Sequence, residues 1–133
     1  MSDLKLSEIM AMQKELQDKH KGKWTPLTPE YGRSCLLWMV EELGEVVAIV
    51  KKSDEKRIMT DAKIRSALAE EFVDVLMFMN DALMCYGITA SDFADAYIRK
   101  HAKNMSRDWE KAEAEFSEQL RSKQASCGAG QGV

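Results

Sequence analysis

Proline is scarce in this sequence, and its two prolines, Pro26 and Pro29, both lie in the segment WTPLTPEYG. Long helices can form on either side of that segment, because it is proline in a helix interior that interrupts a helix. Asn-Gly and Asp-Gly pairs are missing, as are runs of alternating polar and apolar residues, which are the usual signals of β-hairpins. These absences favour an all-α fold.

Cysteine and histidine are also rare. The three cysteines, Cys35, Cys85 and Cys127, lie far apart without a Cys-x-x-Cys pair, which argues against a zinc ribbon or a disulfide framework. Cys35 and Cys85 lie in apolar runs, so we expect them to be buried, reduced thiols. Neither His20 nor His101 follows a glutamate at the ExxH spacing of di-iron and di-manganese bundles, so that kind of site is disfavoured.

The sequence also has neither an excess of positive charge nor a long apolar run. The net charge is −3, so no overall basic field would attract a nucleic acid polymer. No apolar run reaches the roughly 18 residues of a membrane span, and MSDLKLSEIM lacks the apolar core of a signal peptide. With 45% apolar and 31% charged residues, we expect a soluble, globular, cytoplasmic protein without a membrane partner.

Four main helices are predicted, each with a capping residue or a stop signal at its limits. They cover LSEIMAMQKELQDKHK with Ser7 as N-cap, Thr28 to about Lys52, Thr60 or Asp61 to Tyr86, and Thr89 or Ser91 to beyond Trp109. The polar segment SDEKRIMTD is a connector with room for one short turn. The glycine-rich end ASCGAGQGV predicts disorder, so we expect one domain over residues 1–112 and a helix end with a disordered tail over residues 113–133.

The second and third helices are apolar on more than one face. Residues 36–40 and 75–79 are each consecutive apolar residues. A helix that contributes only one stripe to a bundle does not need this pattern. We therefore expect a four-to-five-helix bundle whose central helices complete their core in a homo-oligomer.

Carboxylates interrupt both of these helices at matching spacings, in EELGE at 41–45 and EEFVD at 70–74. Residues three apart lie on one helix face, so Glu42 and Glu45 point the same way, as do Glu71 and Asp74. If the helices pack antiparallel, all four can converge, and desolvation with mutual repulsion would raise their pKa values. Protonation or a bound cation relieves that repulsion, and oxygen ligands suit Mg²⁺ or Mn²⁺.

The alternative is that these acids are solvent-facing residues of amphipathic helices, as single glutamates usually are. The repetition of the block between large apolar residues favours the metal site. Glu41 and Glu70 lie about 100° further round their helices. They can form salt bridges, support the ligands or join the cluster, and the sequence leaves these roles open.

The two blocks, followed by Lys100, Asn104 and Arg107 in IRKHAKNMSRDW, resemble the ExxE, ExxD and KxxxNxxR pattern of MazG-like nucleotide pyrophosphohydrolases, which belong to the all-α NTP pyrophosphatase superfamily. The resemblance covers about residues 5–110. It implies hydrolysis of a nucleoside triphosphate between the α and β phosphates, with Mg²⁺ held by the four acids. It also implies that the three later residues lie against the phosphates and that the protein is a homodimer or homotetramer.

Within that resemblance, one glutamate that is not fully engaged with metal can take a proton from the attacking water. The candidates are Glu41, Glu42, Glu70 and Glu71, and the sequence does not choose among them.

Base recognition is predicted from aromatic residues near the metal helices. Trp38 lies four residues before Glu42 on nearly the same face, Trp24 can close over a ligand, and Phe78 can stack on a base or fill the core. Asp81 continues the stripe of Glu71 and Asp74 and can touch a sugar or base. A helical module that binds a nucleotide or a partner protein without catalysis is the alternative function.

Overall fold

The computed structural model describes the backbone of residues 3–128 and the side chains of residues 3–122. This part of the chain forms six helices and no β-strand, which confirms the predicted all-α fold. The helices are α1 (Leu6–Lys19), α2 (Pro29–Lys52), α3 (Glu55–Thr60), α4 (Ala62–Cys85), α5 (Ala90–Met105) and α6 (Trp109–Gly128).

The predicted limits of the two central helices are confirmed. Pro29 is the first residue of α2, where the missing N–H would have had no helical partner, and Lys51 and Lys52 form its last turn. Asp61 starts α4 because its carboxylate accepts hydrogen bonds from the backbone N–H groups of Lys63 and Ile64. After α4, Gly87 has a left-handed φ of +67°, a conformation that commonly ends helices.

Three other limits differ from the prediction. Helix α1 begins at Leu6 rather than after Ser7, since the Glu8 carboxylate accepts from the Lys5 backbone N–H at 2.7 Å and places the cap two residues earlier. The connector between α2 and α4 contains α3, which Asp54 caps through the Arg57 N–H.

The predicted fourth helix is two helices, α5 and α6. Asp108 accepts the backbone N–H of Lys111 at 3.0 Å and so acts as a new N-cap, which breaks the helix at residues 106–108. Helix α6 continues to Gly128, so the first residues of the predicted disordered tail are helical. Residues 129–133 of that tail lie outside the described residues.

The chain divides into two compact units, with the boundary between Ala94 and Asp95. The first unit holds α1 to α4 and the start of α5. The second holds the rest of α5 and α6. The single domain over residues 1–112 stays a prediction.

Helices α2 and α4 form the centre of the first unit and run antiparallel. Cys35 contacts Cys85 with their sulfurs 4.0 Å apart, and Trp38 contacts Phe78 further along. The residues of α4 that contact α2 therefore have lower numbers as the residue numbers along α2 increase, which is the pattern of antiparallel helices. Both thiols are buried, as predicted, and they form a small core with Ala82 and Leu27.

Helix α1 packs against α4. Of the three apolar residues at helical spacing on α1, Ile9 and Leu16 are half-buried and Met12 is 58% exposed, while Met10 and Gln13 are buried. Among residues 3–128, no single helix is long and apolar enough to cross a membrane. Helices α4 and α5, which are bent relative to each other, together have the length and apolar composition of a membrane span; this comparison concerns length and composition alone.

Candidate metal and nucleotide-binding site

The antiparallel packing of α2 and α4 brings three predicted metal ligands together. One carboxylate oxygen from each of Glu42, Glu71 and Asp74 lies within 4.8 Å of the others. Glu71 and Asp74 share a face of α4 because they are three residues apart. The group can hold a metal ion, and the oxygen donors are those that hard divalent cations prefer.

The fourth predicted ligand, Glu45, does not belong to this group. It lies one turn beyond Glu42 on α2 and its side chain is exposed. Glu45 nevertheless contributes to the negative field at Glu42. Its role as a fourth ligand stays a prediction.

Glu42 is half-buried and lies in the negative field of the neighbouring carboxylates. Burial is the largest cause that raises the pKa of its carboxyl, and Asp74, Glu71, Glu41 and Glu45 raise it further in that order. Neither ion pair of the described residues involves these acids, since one joins Lys14 to Asp18 and the other Lys111 to Glu115. No neighbouring basic side chain is therefore paired with the cluster, and a cation would relieve it.

The two other predicted catalytic glutamates lie outside the group of three. Glu41 and Glu70 are both exposed, and Glu70 accepts a long hydrogen bond of 3.5 Å from the Ser66 hydroxyl. Their exposure agrees with the helix geometry, because each lies one residue, or about 100°, away from a predicted ligand on the same helix.

Within the first unit, a cavity of about 420 Å³ lies next to the acidic cluster. Asp74 belongs to the cluster and also lines the cavity. All four residues predicted to contact the sugar or base line this cavity, namely Trp24, Trp38, Phe78 and Asp81. The rings of Trp38 and Phe78 lie 5.7 Å apart at 49°, and Trp24 stacks on His20 at 4.4 Å. The volume falls in the range of small-molecule sites.

Asp81 lines the cavity but is almost fully buried, and its contact with a sugar or base stays a prediction. One of its carboxylate oxygens accepts from Gln13 Nε2 at 2.9 Å and the other from Gln17 Nε2 at 2.8 Å. Burial raises the pKa of this carboxyl, while the two hydrogen bonds oppose that rise.

Sequence reasoning missed Gln13 and Gln17. Both line the cavity, and their spacing of four residues puts them on one face of α1. The sequence offered one signal for them, namely that Gln13 and Gln17 share a helix face with Met10. The burial of that face depends on how α1 packs against α4, which residue spacing does not state.

The predicted phosphate-binding residues lie in the second unit. Lys100 and Asn104 are on α5, but Arg107 follows the end of that helix, so the three residues do not lie on one continuous helix. The new cap at Asp108 ends the helical geometry before Arg107 is reached. The Arg107 guanidinium instead lies 4.5 Å above the ring of Trp109, within the range of a cation–π contact.

Two antiparallel helices that carry ExxE and ExxD, with three of the four acids gathered beside an aromatic cavity, define an all-α nucleoside triphosphate pyrophosphatase of the MazG-like class. The model of the dATP/dGTP pyrophosphohydrolase family matches residues 33–126. This match spans more than half of the chain, so the protein belongs to that family and is a hydrolase that acts on nucleoside triphosphates. Comparison with curated proteins and with solved structures gave no match.

Proposed function

We propose that this protein hydrolyses a purine deoxynucleoside triphosphate between the α and β phosphates, giving the nucleoside monophosphate and pyrophosphate, with Mg²⁺ as cofactor and Mn²⁺ as a substitute. The observation that carries this proposal is the convergence of Glu42, Glu71 and Asp74 beside the aromatic cavity. The family match to dATP/dGTP pyrophosphohydrolases supports the class of substrate.

The donor set suits a divalent cation. Three carboxylates within 4.8 Å of one another repel each other and would also repel a triphosphate. Glu42, Glu71 and Asp74 would hold the ion, with Glu45 as the fourth ligand one turn along α2. The bound ion supplies charge neutralisation and acidifies a water molecule.

The remaining roles fall to side chains of the chain itself. A glutamate of the cluster accepts the proton of the attacking water; the water oxygen bonds to the α-phosphorus, and the bond from that phosphorus to the oxygen bridging to the β-phosphate breaks. We retain Glu41 and Glu70 as candidates that assist this step from outside the group of three. The aromatic side chains of Trp24, Trp38 and Phe78 provide faces for the base. Phosphate binding by Lys100, Asn104 and Arg107 stays a prediction from the resemblance.

The protein acts as a homodimer or homotetramer in this proposal. Five apolar residues follow one face of α2 at helical spacing and are 41 to 59% exposed; they are Leu36, Val40, Leu43, Val47 and Val50. A repeating stripe of this kind is typical of a helix that packs against another helix, and a second copy of this chain is the occupant that we propose. A cytoplasmic location completes the proposal and is tested by cell fractionation.

The deciding experiment measures the products formed from dATP and dGTP by the full chain, with and without Mg²⁺. We expect pyrophosphate and the monophosphate, and a loss of about 100-fold or more in kcat for Glu71→Gln, because a charge-stabilising contact in the transition state is removed. Glu55→Gln changes an exposed acid of α3 and is the matched control. Near-normal turnover by Glu71→Gln would contradict the mechanism, and nucleotide binding without turnover by the wild type would favour the non-catalytic module.

A further inference from the structure

The cavity beside the acidic cluster contains a buried polar group whose orientation is fixed. Gln13 and Gln17 each use the side-chain amide nitrogen to donate to Asp81. A carboxylate oxygen only accepts hydrogen bonds. Each amide must therefore turn its nitrogen toward Asp81 and keep its carbonyl oxygen away from it.

This arrangement leaves an acceptor without a donor. Gln13 is 5% exposed, lines the cavity, and its Oε1 accepts no hydrogen bond from the described residues. A buried carbonyl oxygen without a partner is unfavourable by about 1–3 kcal/mol. A ligand that donates an N–H to this oxygen would remove that penalty.

The rest of the cavity lining fits a flat, apolar ligand with one polar edge. Trp38 and Phe78 supply aromatic surface, and Leu16 and Met77 supply aliphatic surface. Lys23, a donor that also lines the cavity, is exposed. Of the three hydrogen-bonded side chains that line this cavity, Gln13, Gln17 and Asp81, it is Gln13 whose buried Oε1 is an acceptor without a partner among the described residues.

On these grounds we propose that Gln13 is the residue that selects the base, and that Asp81 positions its amide so that guanine is preferred over adenine. This inference rests on the proposed function. Guanine carries two adjacent donors on its Watson–Crick edge, the N1–H and the 2-amino group. Adenine presents the N1 lone pair at the corresponding place, where it would face the Gln13 carbonyl oxygen.

The proposal assigns roles to residues that the family match does not cover. Gln13 and Gln17 precede residues 33–126, the matched region. Asp81 lies inside that region and lines the cavity, but each of its two carboxylate oxygens already accepts a hydrogen bond from a glutamine. Asp81 is therefore a positioning residue, which acts on the base through Gln13.

The test compares kcat/KM for dGTP, dITP and dATP with the full-length protein and Mg²⁺. Hypoxanthine keeps the N1–H of guanine and lacks the 2-amino group, so we expect dGTP to be best, dITP intermediate and dATP worst. A site built to hydrogen-bond its ligand can discriminate by several orders of magnitude, and we expect at least about tenfold between dGTP and dATP. Hydrolysis of all three without this order would overturn the inference and leave the proposed function standing. No hydrolysis of any would overturn the proposed function itself.

Two variants separate positioning from a structural role. Asp81→Asn introduces an amide that can donate, so the Gln13 amide can turn and offer its nitrogen to adenine N1. We expect the dGTP-to-dATP ratio to fall by about tenfold or more, mainly through KM for dGTP. Gln13→Met removes the acceptor at similar size and should lower the same ratio without improving dATP. An equal loss for both nucleotides in folded Gln13→Met would overturn the assignment.

Binding of the products gives a readout that does not need turnover. Trp24 and Trp38 line the cavity, so dGMP and dAMP binding is measured from tryptophan fluorescence. The wild type should bind dGMP more tightly than dAMP, and Gln13→Met should reduce that difference. An unchanged difference in this variant would count against Gln13, even if Asp81→Asn fails to fold.

Discussion

Gly32 of α2 lies so close to Tyr86 that a Cβ atom at Gly32 would stand 2.5 Å from the ring carbon Cζ and 2.8 Å from the hydroxyl oxygen. This contact joins the start of α2 to the residue that follows α4. The absence of a side chain at Gly32 therefore leaves room for the ring of Tyr86 in its present position, and the φ of Gly32 is not positive.

Gly32→Ala is expected to lower the free energy of unfolding by about 1–3 kcal/mol, because the ring of Tyr86 must move to avoid the added methyl group. Gly44→Ala on the same helix is the control, since a Cβ there meets nothing within 4 Å. Alanine favours helix over glycine by up to about 1 kcal/mol, so Gly44→Ala should be as stable as the wild type or more stable. Urea unfolding measures both, and equal stability of the two variants would contradict the packing argument.

Metal binding should stabilise the folded protein through the acidic cluster. A ligand that binds only the folded state adds about 2.7 kcal/mol at 100 times its Kd, so Mg²⁺ or Mn²⁺ should raise the Tm of the wild type. Glu71→Gln and Asp74→Asn should lose most of this rise, whereas Glu55→Gln should keep it. A rise of full size in Asp74→Asn would show that the ion binds elsewhere.

The pH dependence of stability follows from the raised pKa of Glu42. In the folded protein without divalent cations, this carboxyl takes up its proton at a higher pH than the ordinary value of 4.5. The folded state then binds more protons than the unfolded state, so the free energy of unfolding rises as the pH falls from neutral toward that value. The contribution is complete below the unfolded pKa and is lost as the pH rises through the folded one.

In Glu42→Gln, the free energy of unfolding should rise less as the pH falls. The quantity to measure is the difference in this rise between the wild type and the variant. Asp81 also has a raised pKa because of burial, so part of the slope should remain in the variant. Thermal unfolding at a series of pH values, with and without Mg²⁺, checks this. An identical slope in wild type and Glu42→Gln would be the contrary result.

The exposed stripe on α2 predicts the oligomeric state. Val47→Glu places a charge in the stripe and should shift the protein toward a monomer, because an unpaired charge is costly at an apolar interface. Ala62→Glu adds the same charge at the first residue of α4, which is exposed, and should leave the assembly intact. Light scattering of both variants and the wild type tests this, and a monomeric wild type would rule out the proposed assembly.

The thiol of Cys35 should be inert in the folded protein. Burial is the main cause that raises its pKa to about 12, with the nearby Cys85 second, and the thiolate is the reactive form. Near pH 8 we expect a thiol reagent to modify Cys35 and Cys85 quickly only after unfolding. Labelling is measured in a Cys127→Ser background, which leaves these two thiols, and rapid labelling of the native protein would refute the expectation.

The limits of α2 and α4 were predictable because their signals are local. Pro29, Asp61 and Gly87 each act on the backbone within one turn of their own position. The signal for the break before α6 is also local, because Asp108 caps α6. The prediction of a single fourth helix overlooked this cap.

The candidate site was only partly predictable. The spacing of the carboxylates predicted four ligands, Glu42, Glu45, Glu71 and Asp74, and the structure brings together three of them and leaves Glu45 outside the group. The cavity joins Trp24, Trp38 and Phe78, which the sequence proposed one by one. The polar residues that α1 contributes to the cavity, Gln13 and Gln17, were missed, because spacing along α1 does not show which of its faces packs inward.

The sequence by itself determined the helices, the two acidic blocks and the chemistry that such blocks allow, because spacings of three and four residues are fixed by the geometry of one helix. Only the tertiary structure decided that Asp81 accepts hydrogen bonds from two glutamines of α1, and which carboxylates meet. Those contacts join residues far apart in the chain, and they depend on the rotation of one helix against another, where a change of one residue turns a side chain by about 100°.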